Sequence, residues 1–499
     1  MTDWVTVRPG AYHDSVSLMR ASRTLSELDG VETATMAMAT ELNRDLLTRA
    51  GFTIPGDVGP NDLVIAIRAS DDAALNRARA QLDTVAGNLL GRADRRTNAD
   101  AGVAAPRTVG SAARRLDASV ALVSVPGPHA YVEAIDALDA GLDVVIFSDN
   151  VPVEQEVALK EEARRRGLLV MGPDCGTVVV GGVGLGFANA LRGGPVGIVA
   201  ASGTGAQQVA CLLDAAGTGV SHVLGVGGRD LASEVAGRST VQALAALDAD
   251  PATELIVLVS KPPDPEVDRA VRQAANALST PTLVAALGPG RDDLTAVAEK
   301  AISTLGGRPP TWPHWPAPRP QRPRPGAVRG LFAGGTLCEE AMLLAADQLG
   351  PVRSNVPLRP EWRLGSDLRA PGHVMLDFGD DRLTQGRPHP MIDSSLRTER
   401  LAAESRDPDC AVVLLDVVLG YVADPDPATT LAPAIREARS GAERDGRDLA
   451  VVASLCGTEA DPQGLLRQAE ALRDAGAAVF VSNAAAARHA VALIEGVRR

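Results

Sequence analysis

Residues 197–205 read Gly-Ile-Val-Ala-Ala-Ser-Gly-Thr-Gly, and residues 330–336 echo them as Gly-Leu-Phe-Ala-Gly-Gly-Thr. Each is an apolar run, then a turn of small residues, then an amphipathic helix, expected over about 206–216 and 337–349. Free backbone N–H groups at a helix start carry partial positive charge, and glycine lets an anion come close. Ser202, Gly203, Thr204 and Gly205 in the first turn, and Gly334, Gly335 and Thr336 in the second, are therefore candidate cradles for phosphate or carboxylate. Two such turns, each followed by alternating elements, imply two α/β modules of one type.

Working outward, the first module spans 194–306, with strands expected at 197–201, 222–226, 255–260 and 282–287. Its rim carries Gly227-Gly228-Arg229-Asp230, Ser260-Lys261-Pro262-Pro263 and Gly288-Pro289-Gly290. Gly227, Gly228, Arg229 and Lys261 join the anion-site candidates, because the two prolines stiffen the loop that aims Lys261. The second module spans 327–499. One of its strands ends in Asp377-Phe378-Gly379-Asp380-Asp381, followed by Gly386-Arg387-Pro388-His389-Pro390-Met391-Ile392-Asp393. Here His389 can move a proton, with Asp393 or Asp377 orienting it. Arg387 can hold an anion with two hydrogen bonds, and the clustered acids can hold Mg²⁺. Asp393 is equally placed to cap a helix beginning at Ser394.

Upstream, 101–193 alternates strand and helix in a doubly wound, Rossmann-like order, whose ligands sit at the carboxyl ends of the strands. That rim includes Ser124, Pro126, Gly127, Asp149, Asn150, Gly172, Pro173, Asp174 and Cys175. No dinucleotide GxGxxG follows the first strand, so NAD is not expected. Residues 1–100 read as a small α/β domain of β-α-β…β-α order, 91–107 as a polar linker, and 307–326 as a proline-rich linker docked by its tryptophans.

The formal charge is −13 without a basic stripe, which argues against nucleic acid as a partner. No apolar run approaches the ~20 residues of a membrane span, and the first residues lack the order of a signal peptide. A cytoplasmic protein is expected. The five cysteines, at 175, 211, 338, 410 and 456, show no CxxC spacing, so neither a disulfide framework nor a zinc site is expected.

The succession GPDCGT, GIVAASGTG, GVGGRDL, VSKPP, GLFAGGTLCEEA, DFGDD, GRPHPMID and LLDVVLGY, with DSVSLM near the start and FSDNVP and KEEARRRGLLVMGPDCG before it, resembles the FdrA family over nearly the whole chain. That family is similar to succinyl-CoA synthetase and is labelled acyl-CoA synthetase. The resemblance implies a CoA-binding-type domain over 101–193, with CoA on its rim, followed by two flavodoxin-like ligase domains. Such synthetases carry a phosphorylated histidine in a Gly-His-Ala-Gly loop of the first ligase domain, whereas residues 255–305 contain no histidine. FdrA-type chains also resemble a subunit of oxamate carbamoyltransferase, which converts oxalurate and phosphate to oxamate and carbamoyl phosphate. The resemblance thus implies a carbamoyl or acyl transferase subunit acting with phosphate. Its partners would be a small anionic substrate and further transferase subunits, in a homo- or hetero-oligomer. A CoA ligase and a non-catalytic scaffold subunit are the alternatives.

Overall fold

Each glycine turn leaves the first strand of a parallel sheet at the point where the strand order reverses. In the computed structural model, which describes residues 2–11, 13, 15–56, 58–89, 106–322, 325–384 and 387–498, the first module is a six-stranded sheet. Its order is Thr282–Ala286, Leu255–Ser260, Gly193–Ala200, Val220–Gly225, then the hairpin Thr177–Val180 and Val183–Gly186. The first four strands are parallel and the hairpin adds antiparallel at the edge. The chain steps from Gly193–Ala200 to one neighbour, then returns to Leu255–Ser260 on its other side. Outside the carboxyl ends of those two strands lies the crevice where open α/β sheets bind ligands, and there stand Ser202–Gly205 and Lys261.

The second module repeats the plan with seven strands in the order His314–Trp315, Ala478–Phe480, Ala450–Cys456, Cys410–Val418, Ala327–Phe332, His373–Asp377 and Val352–Arg353. All but the first pair parallel. Its reversal lies between Ala327–Phe332 and Cys410–Val418, which places Gly334–Thr336 in the corresponding crevice. Leu255–Ser260 and Cys410–Val418 are buried at every residue, as central parallel strands covered on both faces must be.

Alanine-rich helices join the modules. Gly203–Ala215 and Leu294–Thr304 of the first pack on Gly335–Leu349 and Asn483–Arg498 of the second. Buried Ala206, Ala210, Ala341, Ala345, Ala487 and Ala490 let these helices approach closely and share one core. The proline-rich segment lies extended along the seam: His314–Trp315 forms an antiparallel edge strand, the place in a sheet that tolerates such sequence. Trp312 Nε1 donates to Glu299 Oε1 at 2.8 Å, and both tryptophans pack on the core.

Residues 106–171 carry three parallel strands, Val120–Val123, Asp143–Ile146 and Val170–Met171. A buried charge network fastens this unit to the first module. Lys160, with no exposed surface, donates to Glu156 Oε1 (2.7 Å), Asp230 Oδ1 (2.7 Å) and the carbonyl of Val226 (3.0 Å). The N-terminal strands Thr2–Arg8, Val31–Met38 and Leu63–Ala69 are antiparallel in the order first, third, second, with helices Ser15–Ser26 and Asp72–Leu89 packed on the sheet. The polar linker lies, up to residue 105, outside the described residues. Among the described residues no helix is long and apolar enough to cross a membrane.

Candidate functional site

The two glycine turns touch. Ser202 Oγ and Thr336 Oγ1 are 2.6 Å apart, and a Cβ on Gly334 would lie 2.9 Å from Thr204. Ser202 also caps its own helix by accepting from Gly205 N. The N–H groups of Gly203 and Thr204, and those of Gly335, Thr336 and Leu337, have no hydrogen-bond partner among the described residues. Gly203 is exposed and Gly335 half-buried, so solvent reaches both starts.

Gly335 faces a charged niche. A Cβ there would lie 2.6 Å from Asp377 Oδ2 and 3.3 Å from Lys261 Nζ. The exposed Lys261 ammonium makes no hydrogen bond or ion pair among the described residues. Asp377 is buried, and Gly379 N donates to its Oδ1 at 2.9 Å. Burial pushes its carboxyl up to about 7; Lys261 and the Gly379 N–H oppose the shift, while Asp416 and Asp380 add to it. A space that a methyl group would fill, lined by open N–H groups, an ammonium and a carboxyl able to hold its proton near neutrality, fits a phosphoryl or carboxylate group. The donors at Ala333 and Gly334 are already taken: both N–H groups give 2.7 Å bonds to Asp416, which pairs with buried Arg397 at 3.1 Å. Asp416 lies near the carboxyl end of the strand Cys410–Val418, on the same rim. Arg397 gave no signal, because an arginine in an amphipathic helix reads as a solvated face.

The loop of His389 departs from expectation. His389 Nδ1 accepts from Met391 N at 3.2 Å, which puts the ring proton on Nε2. Neither Asp393 nor Asp377 orients the ring. Burial and the charge of Arg397 lower its pKa to about 4, so His389 is neutral at pH 7 and a poor base. Its Nε2 lies 2.9 Å from where a Cβ on Gly379 would sit, and its ring packs 5.5 Å from that of Phe187. Asp393 Oδ1 accepts from Ser395 N at 2.9 Å, the capping alternative. Arg387 is exposed, with no side-chain partner among the described residues. Asp380 pairs with Arg382 at 3.0 Å, and no three His, Cys, Asp or Glu side chains converge as metal ligands among the described residues.

The rim of residues 106–171 meets the same junction. Gly227 lies against Gly172 and Pro173: a Cβ on it would come within 2.4 Å of Pro173 O, and its φ of +91° also requires glycine. Gly127 lies against the backbone of Asp149 and Asn150, and Gly228 faces Asp174. Ser124 and Pro126 follow the strand Val120–Val123. Asp174 is exposed as a residue at this junction, with its carboxyl set back among neighbouring groups. The surrounding protein, then Asp381 and Asp149, push it up to about 7, against Lys261 and Arg229. Arg229 is committed to Glu156 (2.9 Å) and the carbonyl of Val151 (2.8 Å). Cys175 is buried, its thiol donates to the Gly225 carbonyl at 3.2 Å, and burial pushes it up to about 12, so it packs rather than reacts.

A family model described as CoA-ligase matches residues 331–493, and one described as AllF, heavy metal-associated domain, matches residues 1–103. The chain is 39% identical over 496 residues, 95% of either chain, to the Uncharacterized protein YahF of Escherichia coli strain K12. It is 31% identical over 164 residues, 32% of this chain and 56% of that one, to Succinate–CoA ligase [ADP-forming] subunit alpha 2 of Archaeoglobus fulgidus. It thus spans about half the length of that subunit. A solved structure of Ca. Korarchaeum cryptofilum dinucleotide forming Acetyl-coenzyme A synthetase 1 in complex with phosphate and ADP overlaps 80% of this chain and 88% of its own, at 16% identity and a TM-score of 0.29.

Proposed function

The chain belongs to the family of Escherichia coli YahF, and from that membership and the facing helix starts we propose that it is a transferase subunit of the CoA-ligase type, FdrA-like, acting on an acyl phosphate at the junction of its two modules. The observation that carries this reading is the contact of the two glycine turns next to Gly335, whose Cβ position faces Asp377 and Lys261. In this reading the phosphate half of the substrate lies on the N–H groups of Gly203, Thr204, Gly335 and Thr336. Lys261 balances its charge. Asp377, able to carry a proton near pH 7, hands it to the departing phosphate. His389 serves as a neutral donor through Nε2–H. Preorganised donors of this kind contribute ~3–4 kcal/mol each to a developing oxyanion. As the phosphate leaves, the acyl group passes to a nucleophile of the acceptor, for which the CoA thiol is the one tested below. The similarity to succinate–CoA ligase alpha subunits supports an acyl group as the transferred unit.

A second reading, carbamoyl transfer to an amide such as oxamate, is favoured by the absence of histidine from residues 255–305, where a phosphohistidine relay would need one. One assay tests both. The full chain is given acetyl phosphate with CoA, and separately carbamoyl phosphate with oxamate, and released phosphate is followed. Acceptor-dependent release in the first pair supports the ligase-type reading, and in the second pair the carbamoyl reading. Release in neither, together with no phosphate binding, overturns both.

A further inference from the structure

The N-terminal unit matches a model described as heavy metal-associated, yet its own residues do not fit a soft heavy metal. No cysteine precedes Cys175, and within residues 1–103 the single histidine is His13, whereas such metals select thiolates. What the unit supplies is a hold on the loop that carries His389. Arg23, on the helix Ser15–Ser26, donates through Nη1 to Asp424 Oδ2 at 2.7 Å and to the carbonyl of Ile392. Beside it Arg20 reaches the carbonyl of Ala423, and Met19 packs on the core cluster that contains Met391, Ile392 and Ala423. Asp424 N donates in turn to Met391 O at 2.8 Å. Met391 N is the group that fixes His389 Nδ1, while Ile392 N and Asp393 N both donate to His389 O.

We propose that Arg23 is a positioning residue: by tying Ile392 to Asp424 it holds the 389–393 turn closed and so fixes the ring orientation and tautomer of His389. The guanidinium suits the task because its fixed N–H directions let one terminal nitrogen serve a carboxylate and a carbonyl about 370 to 400 residues away in sequence. Arg23 is mostly buried and also pairs with Glu27 at 2.9 Å on its own helix, which holds it in place. The N-terminal unit is thereby a structural part of the junction. Its consequence for turnover rests on the function proposed above; the clamp itself rests on geometry alone.

The test uses the full chain with Arg23→Met, which keeps bulk and removes the donors, and Trp312→Phe, which cuts the Trp312–Glu299 hydrogen bond instead. The readout is nitrogen-15 NMR of the His389 ring, which needs no substrate. The wild type and W312F are expected to show a single Nε2–H tautomer. R23M is expected to show both neutral tautomers in exchange, with R23K between. Should R23M fail to fold, D424N removes the same ion pair. An unchanged His389 tautomer in folded R23M or D424N, or an equal change in W312F, overturns the proposal. In an acyl phosphate assay, R23M should lower kcat on the order of tenfold while KM stays put, as expected for misplacement of a reacting group. A tautomer change without that loss would keep the clamp and refute the role given to His389.

Discussion

Replacing Gly335 by Ala isolates the phosphate cradle from the fold around it. Gly335 is the first residue of the helix Gly335–Leu349, where alanine is the better helix former by up to about 1 kcal/mol. Its φ is not in the left-handed region, so the backbone accepts a side chain. The new Cβ, however, would stand 2.6 Å from Asp377 Oδ2 and 3.3 Å from Lys261 Nζ, in the space assigned to the phosphoryl oxygens. Asp377 must then turn, losing its bond from Gly379 N, and the ligand loses at least one charge-assisted hydrogen bond. Such a bond contributes about 1.5–3 kcal/mol, so phosphate affinity should fall roughly 10- to 150-fold. Calorimetric titration at low ionic strength reads the affinity, and a melting scan should place the variant close to wild type. Unchanged affinity in a folded G335A protein would refute the cradle.

Three further outcomes follow from the same geometry. Lys160→Met leaves Glu156 and Asp230 buried with their shared cation gone, which should cost about 3–5 kcal/mol; a urea midpoint shift equivalent to less than ~1 kcal/mol would contradict this. Burial pushes Glu340 up to about 7, although Leu294 N and Asn483 donate to its two oxygens at 2.7 Å each. A raised carboxyl pKa gives stability that is full below its ordinary value of 4.5 and lost as pH rises through about 7. Glu340→Gln should therefore flatten the melting temperature across that window, and an unaltered slope would show that Glu340 is not the group responsible. Binding of sulfate, whose charge is constant in this range, should tighten as pH falls from 8 to 6 and Asp377 takes up its proton; Asp377→Asn should abolish that trend.

The modules were legible because their evidence is local and repeated. An apolar run, a glycine turn and a helix, occurring twice, announce parallel sheets with anion-type crevices. The docked tryptophans were legible too, since residues 309–325 cannot enter a helix or an inner strand. The sequence could not show that the two turns face each other, because Ser202 and Thr336 are 134 residues apart and meet through alanine-lined helices. The part played by His389 was misread for a similar reason. Sequence proximity suggested Asp393 as its orienting partner, but a tight turn gives that place to the Met391 N–H and sends Asp393 to cap the next helix. Arg23, Lys160 and Arg397 look like ordinary helix-surface residues until distant segments close over them.

The most direct measurement maps amide shifts in nitrogen-15-labelled chain during titration with inorganic phosphate. The account predicts that the N–H signals of Gly203 and Thr204 and those of Gly335 and Thr336 move together, with one dissociation constant. Shifts confined to one start, or none at either, would contradict the claim that the two glycine turns form a single phosphate site.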